Sequence, residues 1–324
     1  MPPLIDEAQL TFELSSWISG GKPPFPTCKF TPAHKVCSNM RYKEIKPTNA
    51  LARFVECFWT LEDECISQPI DAEPIQAEPI LPDGCVELIL NFGAHFEEFM
   101  TNGHKERQPD NIVVGQMTRP VVISPTGSVQ LLGIRFHPGG TFPFFRVPME
   151  ELTNRVTALG EVTAEFERDL IARVDAAPSS SQRIAAVERL LSERVRNSKY
   201  ESWVPELATR IVQCGGRVSM DALATAAGVS GRQLERRFLR DVGIGPKSLC
   251  RILRFQQVFQ AFQQKTFSWA ALAADCGYYD QAHLIRDFQQ FAGQTPASLL
   301  ENSSALTESF TRKNRRSDFS NTPA

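Results

Sequence analysis

The sequence predicts an α+β multidomain chain. A β-rich barrel or sandwich with trailing helices comes first, and an all-α domain with two helix-turn-helix units follows. Three observations carry this expectation. Short apolar and β-branched runs, separated by Gly, Pro and Asn, fill residues 41–150. From residue 150 the apolar spacing becomes helical. One arrangement of residues then occurs twice near the end. It runs Ser219, Ala224, Gly228, Arg236, Phe238, Gly243, Pro246, and again Ser268, Ala273, Gly277, Arg286, Phe288, Gly293, Pro296. The offset is 49 residues through the first glycine and 50 after it. Each copy is too short for a domain but has the size and punctuation of a helix-turn-helix.

The 324 residues are enough for two domains or three. Residues 1–39 are rich in Pro, Gly and Ser without periodicity and are expected to be a poorly ordered leader, with Met40 as an alternative start. Asp6 and Glu7 stand where a secretory segment would be basic, and no apolar run approaches the ~20 residues of a membrane span. The expected location is therefore the cytoplasm. Eight cysteines occur without a C-x-x-C pair, which points to inert apolar side chains and not to a zinc or redox site.

Expected strands are Phe54–Leu61, Val86–Phe92 after the Pro82-Asp83-Gly84 turn, Ile112–Val114, Val121–Ile123 and Val129–Phe136. One helix carries Phe166, Leu170, Ile171 and Val174, and Pro178 with three serines ends it. A second begins at a Ser181 cap and buries Ile184, Val187, Leu191 and Val195. The segment from Asn197 to Trp203 is the expected boundary. The division is thus 1–39 leader, 40–200 sensor or dimerisation domain, 201–300 reading domain, and 301–324 a disordered polar tail.

In the first copy Ser219 caps a short helix bearing Leu223, Ala224 and Ala227. Gly228 supplies a positive φ for the turn, and Val229 fills the gap. Ser230 caps the second helix with Gln233 at capping-box spacing. Leu234 and Phe238 face the core, which leaves Arg232, Glu235, Arg236 and Arg240 outside. In the second copy Ser268, Ala273, Gly277, Tyr278 and the cap Asp280 repeat this logic. Leu284 and Phe288 face inward, and Gln281, Ala282, His283, Ile285, Arg286 and Gln289 remain for the outside or its edge. Between the copies Pro246 opens a helix with an apolar stripe of Ile252, Phe255, Phe259 and Phe262. The charge distribution agrees. Residues 230–254 hold seven basic side chains against two acids, in a chain of net charge −2. Arg236 and Arg286 have a structural alternative, pairing with acids such as Asp241 and Asp287.

Residues 205–300 resemble the DNA-binding domain of AraC/XylS-type transcriptional regulators. The resemblance is carried by Ser230, Arg232, Leu234, Arg236, Phe238, Gly243 and Pro246, then Leu272-Ala273, Gly277-Tyr278, Asp280, Arg286, Phe288, Gly293 and Thr295-Pro296. It implies two helix-turn-helix units joined by a long helix, with both recognition helices in adjacent major grooves. It also implies base reading by Arg232, Glu235 and Arg236, then Ala282, His283 and Arg286. Gln289, Ala282 and Leu300 depart from the residues usual in that family. Cys57-Phe58-Trp59, Leu81–Gly84, Gly115-Gln116, Gly133–Gly140 and Glu151-Leu152-Thr153 are similar to a cupin-like β-domain found before such reading domains.

The expectation is a bacterial, nucleoid-associated regulator that binds double-stranded DNA. Ser230, Arg232, Glu235, Arg236, Arg240, Gln281, Ala282, His283, Arg286 and Gln289 are its contact residues. RNA polymerase, a small-molecule effector and a second copy of the chain are further candidate partners. No membrane, no cofactor and no metal are expected: the four N-terminal histidines show no H-x-H spacing. Arg135, His137, Asp83 and Glu87 are the polar candidates for a ligand, with Arg135 more suited to satisfying a buried acid. The alternative is a metal- or ligand-dependent enzymatic or sensor N-terminal half that uses DNA binding for delivery.

Overall fold

The structure is a computed structural model and describes residues 41–63, 77–198, 202–261 and 268–301. The leader with Met40, Cys28, Cys37, Cys65, Phe262 and the tail from 302 lie outside these residues.

Among the described residues, ten strands precede the helical region. They are β1 Arg41–Ile45, β2 Val55–Asp63, β3 Glu78–Ile80, β4 Val86–Asn91, β5 Phe96–Phe99, β6 Lys105–Arg107, β7 Asn111–Val114, β8 Val121–Pro125, β9 Val129–Phe136 and β10 Val156–Ala158. They form a six-stranded sheet ordered β1-β2-β9-β4-β7-β10 and a four-stranded sheet ordered β3-β8-β5-β6. All five runs expected from the sequence are strands. The polar strands β1 and β6 and the three-residue strands β3 and β10 carry no period-two signal of their own.

The six-stranded sheet is the middle of three layers, and strand alternation divides its side chains. Phe58, Val86, Leu88, Leu90, Leu132, Ile134 and Phe136 face a core shared with the helices. Cys57, Trp59, Leu61 and Leu131 face the small sheet, where Phe96 and Ile123 meet them. Gly133 makes room for the buried Trp59. A Cβ there would lie 2.0 Å from the indole ring.

The helical layer comprises α1 Phe142–Phe145, α2 Leu159–Asp175 and α3 Ser180–Asn197, with a 3-10 turn at Met149–Leu152. Phe166, Leu170 and Val174 of α2 and Ile184, Val187, Leu190 and Leu191 of α3 are buried, and Val195 sits at the margin. The cap of α3 is Ser179 and not Ser181. The Ser179 hydroxyl accepts from the Gln182 amide at 3.3 Å. Three consecutive serines offer the same hydroxyl, and Ser179 alone of them has the extended backbone a cap needs, because the helix already includes Ser180 and Ser181.

Seven further helices follow among the described residues: α4 Val204–Gln213, α5 Met220–Ala227, α6 Gly231–Val242, α7 Pro246–Ala261, α8 Trp269–Asp275, α9 Gln281–Ala292 and α10 Pro296–Glu301. They share a single core around Phe238, Phe255 and Phe288, and both repeat copies contribute to it. Leu81 from the β-rich half belongs to the same core. No helix among the described residues is long and apolar enough to cross a membrane.

Candidate nucleic-acid interface

The first helix-turn-helix unit is built by local chemistry at each joint. The Ser219 hydroxyl accepts from the Ala222 amide at 3.0 Å and starts α5. Gly228 ends it at φ 64°, in the left-handed region that glycine tolerates. The Val229 amide then donates to the Ala224 carbonyl at 3.1 Å, and Ser230 follows directly as the next cap. Ser230 accepts from the Gln233 amide at 3.3 Å while its own amide donates to the Gln233 side chain at 2.9 Å. This reciprocal pair is the capping box the spacing predicts.

Helix α6 buries Leu234 and Phe238 and exposes Arg232, Glu235 and Arg236. These three stand at i, i+3 and i+4, so they form one outward row. Arg240 departs from that row. Its guanidinium donates to Asp241 at 2.9 Å and lies 5.3 Å from the centroid of the Phe142 ring, on the β-rich half. Asp241 is fully buried and also accepts from Ser202 at 2.9 Å, with Arg237 at 3.9 Å. Arg236 makes no ion pair among the described residues.

The second unit uses different letters for the same joints. Ser268 accepts from the Ala271 amide at 3.1 Å. Gly277 turns at φ 76°, and the Tyr278 amide donates to the Ala273 carbonyl at 2.8 Å. The Tyr278 ring is buried, with the His283 ring edge-on at 5.2 Å and Arg254 at 5.7 Å from its centroid. Burial pushes the Tyr278 phenol well above its ordinary pKa. Asp280 caps α9 by accepting from the His283 amide at 2.7 Å.

On α9, Ala282, Arg286 and Gln289 are exposed, Gln281, His283 and Ile285 are half-buried, and Leu284 and Phe288 are fully buried. Among the described residues Arg286 donates only to the Ala282 carbonyl, at 3.3 Å, one turn back on its own helix. The buried Asp287 takes Arg251 of α7 instead, at 2.6 and 3.1 Å. The Phe255 ring of α7 meets Phe288 edge-on at 4.7 Å and Phe291 at a tilt at 5.4 Å. The connector and the second unit therefore form one packed body.

The β-rich half docks on the first unit and the connector. The Thr153 hydroxyl donates to the Gly243 carbonyl at 2.6 Å, just past α6. The Gln256 side chain of α7 donates to the Pro82 carbonyl, and Leu249 lies over Gly84. Arg53 pairs with Glu206 of α4.

Three of the four ligand candidates meet beside this contact. Arg135, almost fully buried, donates to Glu87 at 2.7 and 2.9 Å and lies 3.5 Å from Asp83. Trp59 donates its indole N–H to the same Glu87 oxygen at 3.2 Å. The Glu87 and Asp83 carboxylates hold Arg135 charged despite its burial. Burial raises the Asp83 carboxyl to about 6, against the opposing pull of Arg135. Arg135, Asp83 and Glu87 line a cavity of about 40 Å³ with Cys85, Met117 and Gln256. A second cavity of about 80 Å³ lies between the sheets, lined by Trp59, Phe96 and Ile123 among others, and Glu87 borders both. His137 does not join them. It follows β9, donates its amide to Phe54 at 2.9 Å, and burial lowers its imidazole pKa. Sequence reasoning missed Trp59 and Gln256 as members of this cluster. The pairing of β2 with β9, which sets Trp59 opposite Gly133, is the signal that finds Trp59.

Among the described cysteines, Cys57, Cys250 and Cys276 are buried, whereas the Cys85 thiol donates to Glu56 at 3.6 Å. Burial pushes Cys57 up to about 12 and Cys250 and Cys276 up to about 11, so these thiols stay protonated.

Two capped helix-turn-helix units on one core, with charged rows facing outward, define a DNA-binding transcription regulator. Residues 223–302 match a family described as a helix-turn-helix domain. This part of the chain is a helix-turn-helix domain. Residues 43–158 match a family described as a domain of unknown function (DUF6597). None of the curated proteins compared with the chain matches it. Among solved structures, the chain is similar to unsaturated fatty acid-bound wild-type ToxT from Vibrio cholerae strain SCE256. That likeness has 6% identity over 82% of this chain and 97% of that one, with a TM-score of 0.40. An apo ToxT variant from the same strain shows 7% identity over 80% and 100%, with a TM-score of 0.39. The AraC-like transcriptional activator CuxR shows 10% identity over 72% and 85%, with a TM-score of 0.30.

Proposed function

We propose that the chain reads a bipartite DNA site by laying α6 and α9 into successive major grooves. The observation that carries this is the pair of outward rows, Arg232, Glu235 and Arg236 on α6 and Ala282, Arg286 and Gln289 on α9, each set on a capped helix and each backed by the same core. A short capped helix fits a major groove about 12 Å wide. Successive grooves on one face are ~34 Å apart, so a connector that holds two such helices in fixed relation selects the spacing between half-sites. Phosphate contacts supply affinity and the outward rows supply sequence preference. Ser230 and Gln281, at the two helix N-termini, and His283 at the margin of α9 complete the contact set.

In this reading the β-rich half, cupin-like in its motifs, is the regulatory half. Its support is the docking of the 82–84 turn on α7 beside the Arg135 cluster, where an effector acting on Asp83 or Glu87 is transmitted to the connector. RNA polymerase and a second copy of the chain are the protein partners such a regulator calls for, and the nucleoid is where it works. Binding-site selection with the full chain tests the DNA reading. The expected result is two half-sites with centres ~10–10.5 bp apart. A single half-site, with Arg286→Ala leaving its affinity unchanged, overturns the role of α9.

A further inference from the structure

We propose that Tyr279 is a DNA contact of the second unit, donating its phenol O–H to a backbone phosphate beside the groove that α9 enters. The inference rests on the reading of α9 given above and adds a contact which that reading lacks.

The two units differ by one residue, and the structure identifies it. Val229 and Tyr278 are equivalent, because each donates its amide to the carbonyl of the matching alanine, Ala224 or Ala273. In the first unit the next residue is already the cap, Ser230. In the second unit Tyr279 stands between Tyr278 and the cap Asp280. The change of offset from 49 to 50 is therefore Tyr279 itself.

This inserted residue is a tyrosine with 93% of its surface exposed, by far the most exposed large hydrophobic side chain among the described residues. No packing accounts for it. It adjoins the N-terminal end of α9, the end that a recognition helix points at base edges. The electrostatics of that end favour an uncharged donor. The cap of α6 is a neutral serine, and its outward row carries Arg232 and Arg236 against Glu235. The cap of α9 is the carboxylate of Asp280, and its outward row carries Arg286 alone. The second unit thus brings no net charge to a phosphate, and Asp280 cancels part of the helix-end attraction. A phenol just outside that cap hydrogen-bonds a phosphate oxygen without needing charge.

The test is fluorescence anisotropy with the full chain and its selected duplex, from low to high salt. Tyr279→Ala and Tyr279→Phe are each expected to weaken binding about tenfold. The loss should be equal on duplexes with altered bases and should leave the salt slope unchanged, because a neutral donor releases no counterion. Arg286→Ala, run alongside, should lower the slope by about 1. Wild-type affinity in Tyr279→Ala overturns the proposal. So does wild-type affinity in Tyr279→Phe with loss in Tyr279→Ala, which would place the ring and not the hydroxyl at the contact. If Arg286→Ala also binds like the wild type, the reading of α9 fails. If only the Tyr279 variants do, this inference alone fails. Thermal melts should be unchanged in both Tyr279 variants, since the side chain packs against nothing.

Discussion

The first helix-turn-helix unit leans on the β-rich half, and the second leans on the connector. In the first, Thr153 holds the carbonyl of Gly243, and Arg240 turns away from the outward row to Asp241 and Phe142. In the second, Arg251 of α7 reaches the buried Asp287 while Phe255 meets Phe288 edge-on. The same scaffold is therefore anchored at two different places. One anchor belongs to the β-rich half. The other is internal to the reading domain and fixes the angle between helices. Charge follows the same division: two exposed arginines on α6, one on α9.

The largest expected effect comes from breaking the internal anchor. Arg251→Ala leaves the Asp287 carboxylate buried without its cation, which should cost about 3 kcal/mol of stability. Hydrogen exchange should show α9 loosening before α6. Equal loosening of both would erase the distinction between the anchors. Next comes the charged row. Arg236→Ala should lose ~1–3 kcal/mol of binding and relax base choice at one position, a larger loss than Arg286→Ala gives. Competition with cognate and scrambled duplexes decides this. An equal loss on both assigns the arginine to phosphate.

The contact of the 82–84 turn with α7 is sharpened by pH. Asp83 has its carboxyl raised to about 6 from an ordinary 3.8. A carboxyl raised in the folded state binds more protons there than in the unfolded chain, so its contribution to stability falls as pH rises from about 4 to about 6. Asp83→Asn removes that loss and should gain on the order of 1 kcal/mol at pH 7.5. It should gain nothing at pH 4, as read by melts at both values. A gain of the same size at pH 4 would mean that the carboxylate charge is not the cause. The smallest effect belongs to the caps. Ser230→Ala removes the hydroxyl that accepts from the Gln233 amide, leaves the backbone half of the capping box, and should cost about 1 kcal/mol. Asp280→Ala should cost a similar amount of stability but strengthen DNA binding, because it removes a carboxylate facing the phosphates.

Local chemistry made the reading domain legible in the sequence. Ser219, Gly228, Ser230 with Gln233, and Asp280 each act within a few residues of themselves, and the structure places each as its spacing predicts. The helical periods likewise found Leu234, Phe238, Leu284 and Phe288. The partners of Asp287 and Arg135 were illegible because they lie far off in the chain. Asp287 is adjacent in sequence to Arg286, yet it takes Arg251 from 36 residues away. Arg240 reads as part of an exposed helical face until Phe142 arrives from the other half. The small sheet was only partly visible, since β6 is wholly exposed and β3 has three residues. At the ligand cluster, Arg135 reads correctly as a partner for buried acids, whereas His137 is separated from Arg135 by the end of β9.

Leu81 belongs by sequence to one half and by packing to the other. Cutting the chain between the halves would strip Leu81 from this core and uncover the side chains of Leu249, Ile252 and Leu253 that face Gly84 on the isolated reading fragment. Such a fragment should self-associate or bind detergent where the intact chain does not, and affinities measured on it would describe an altered molecule. The halves are expected to melt together, as a single calorimetric transition.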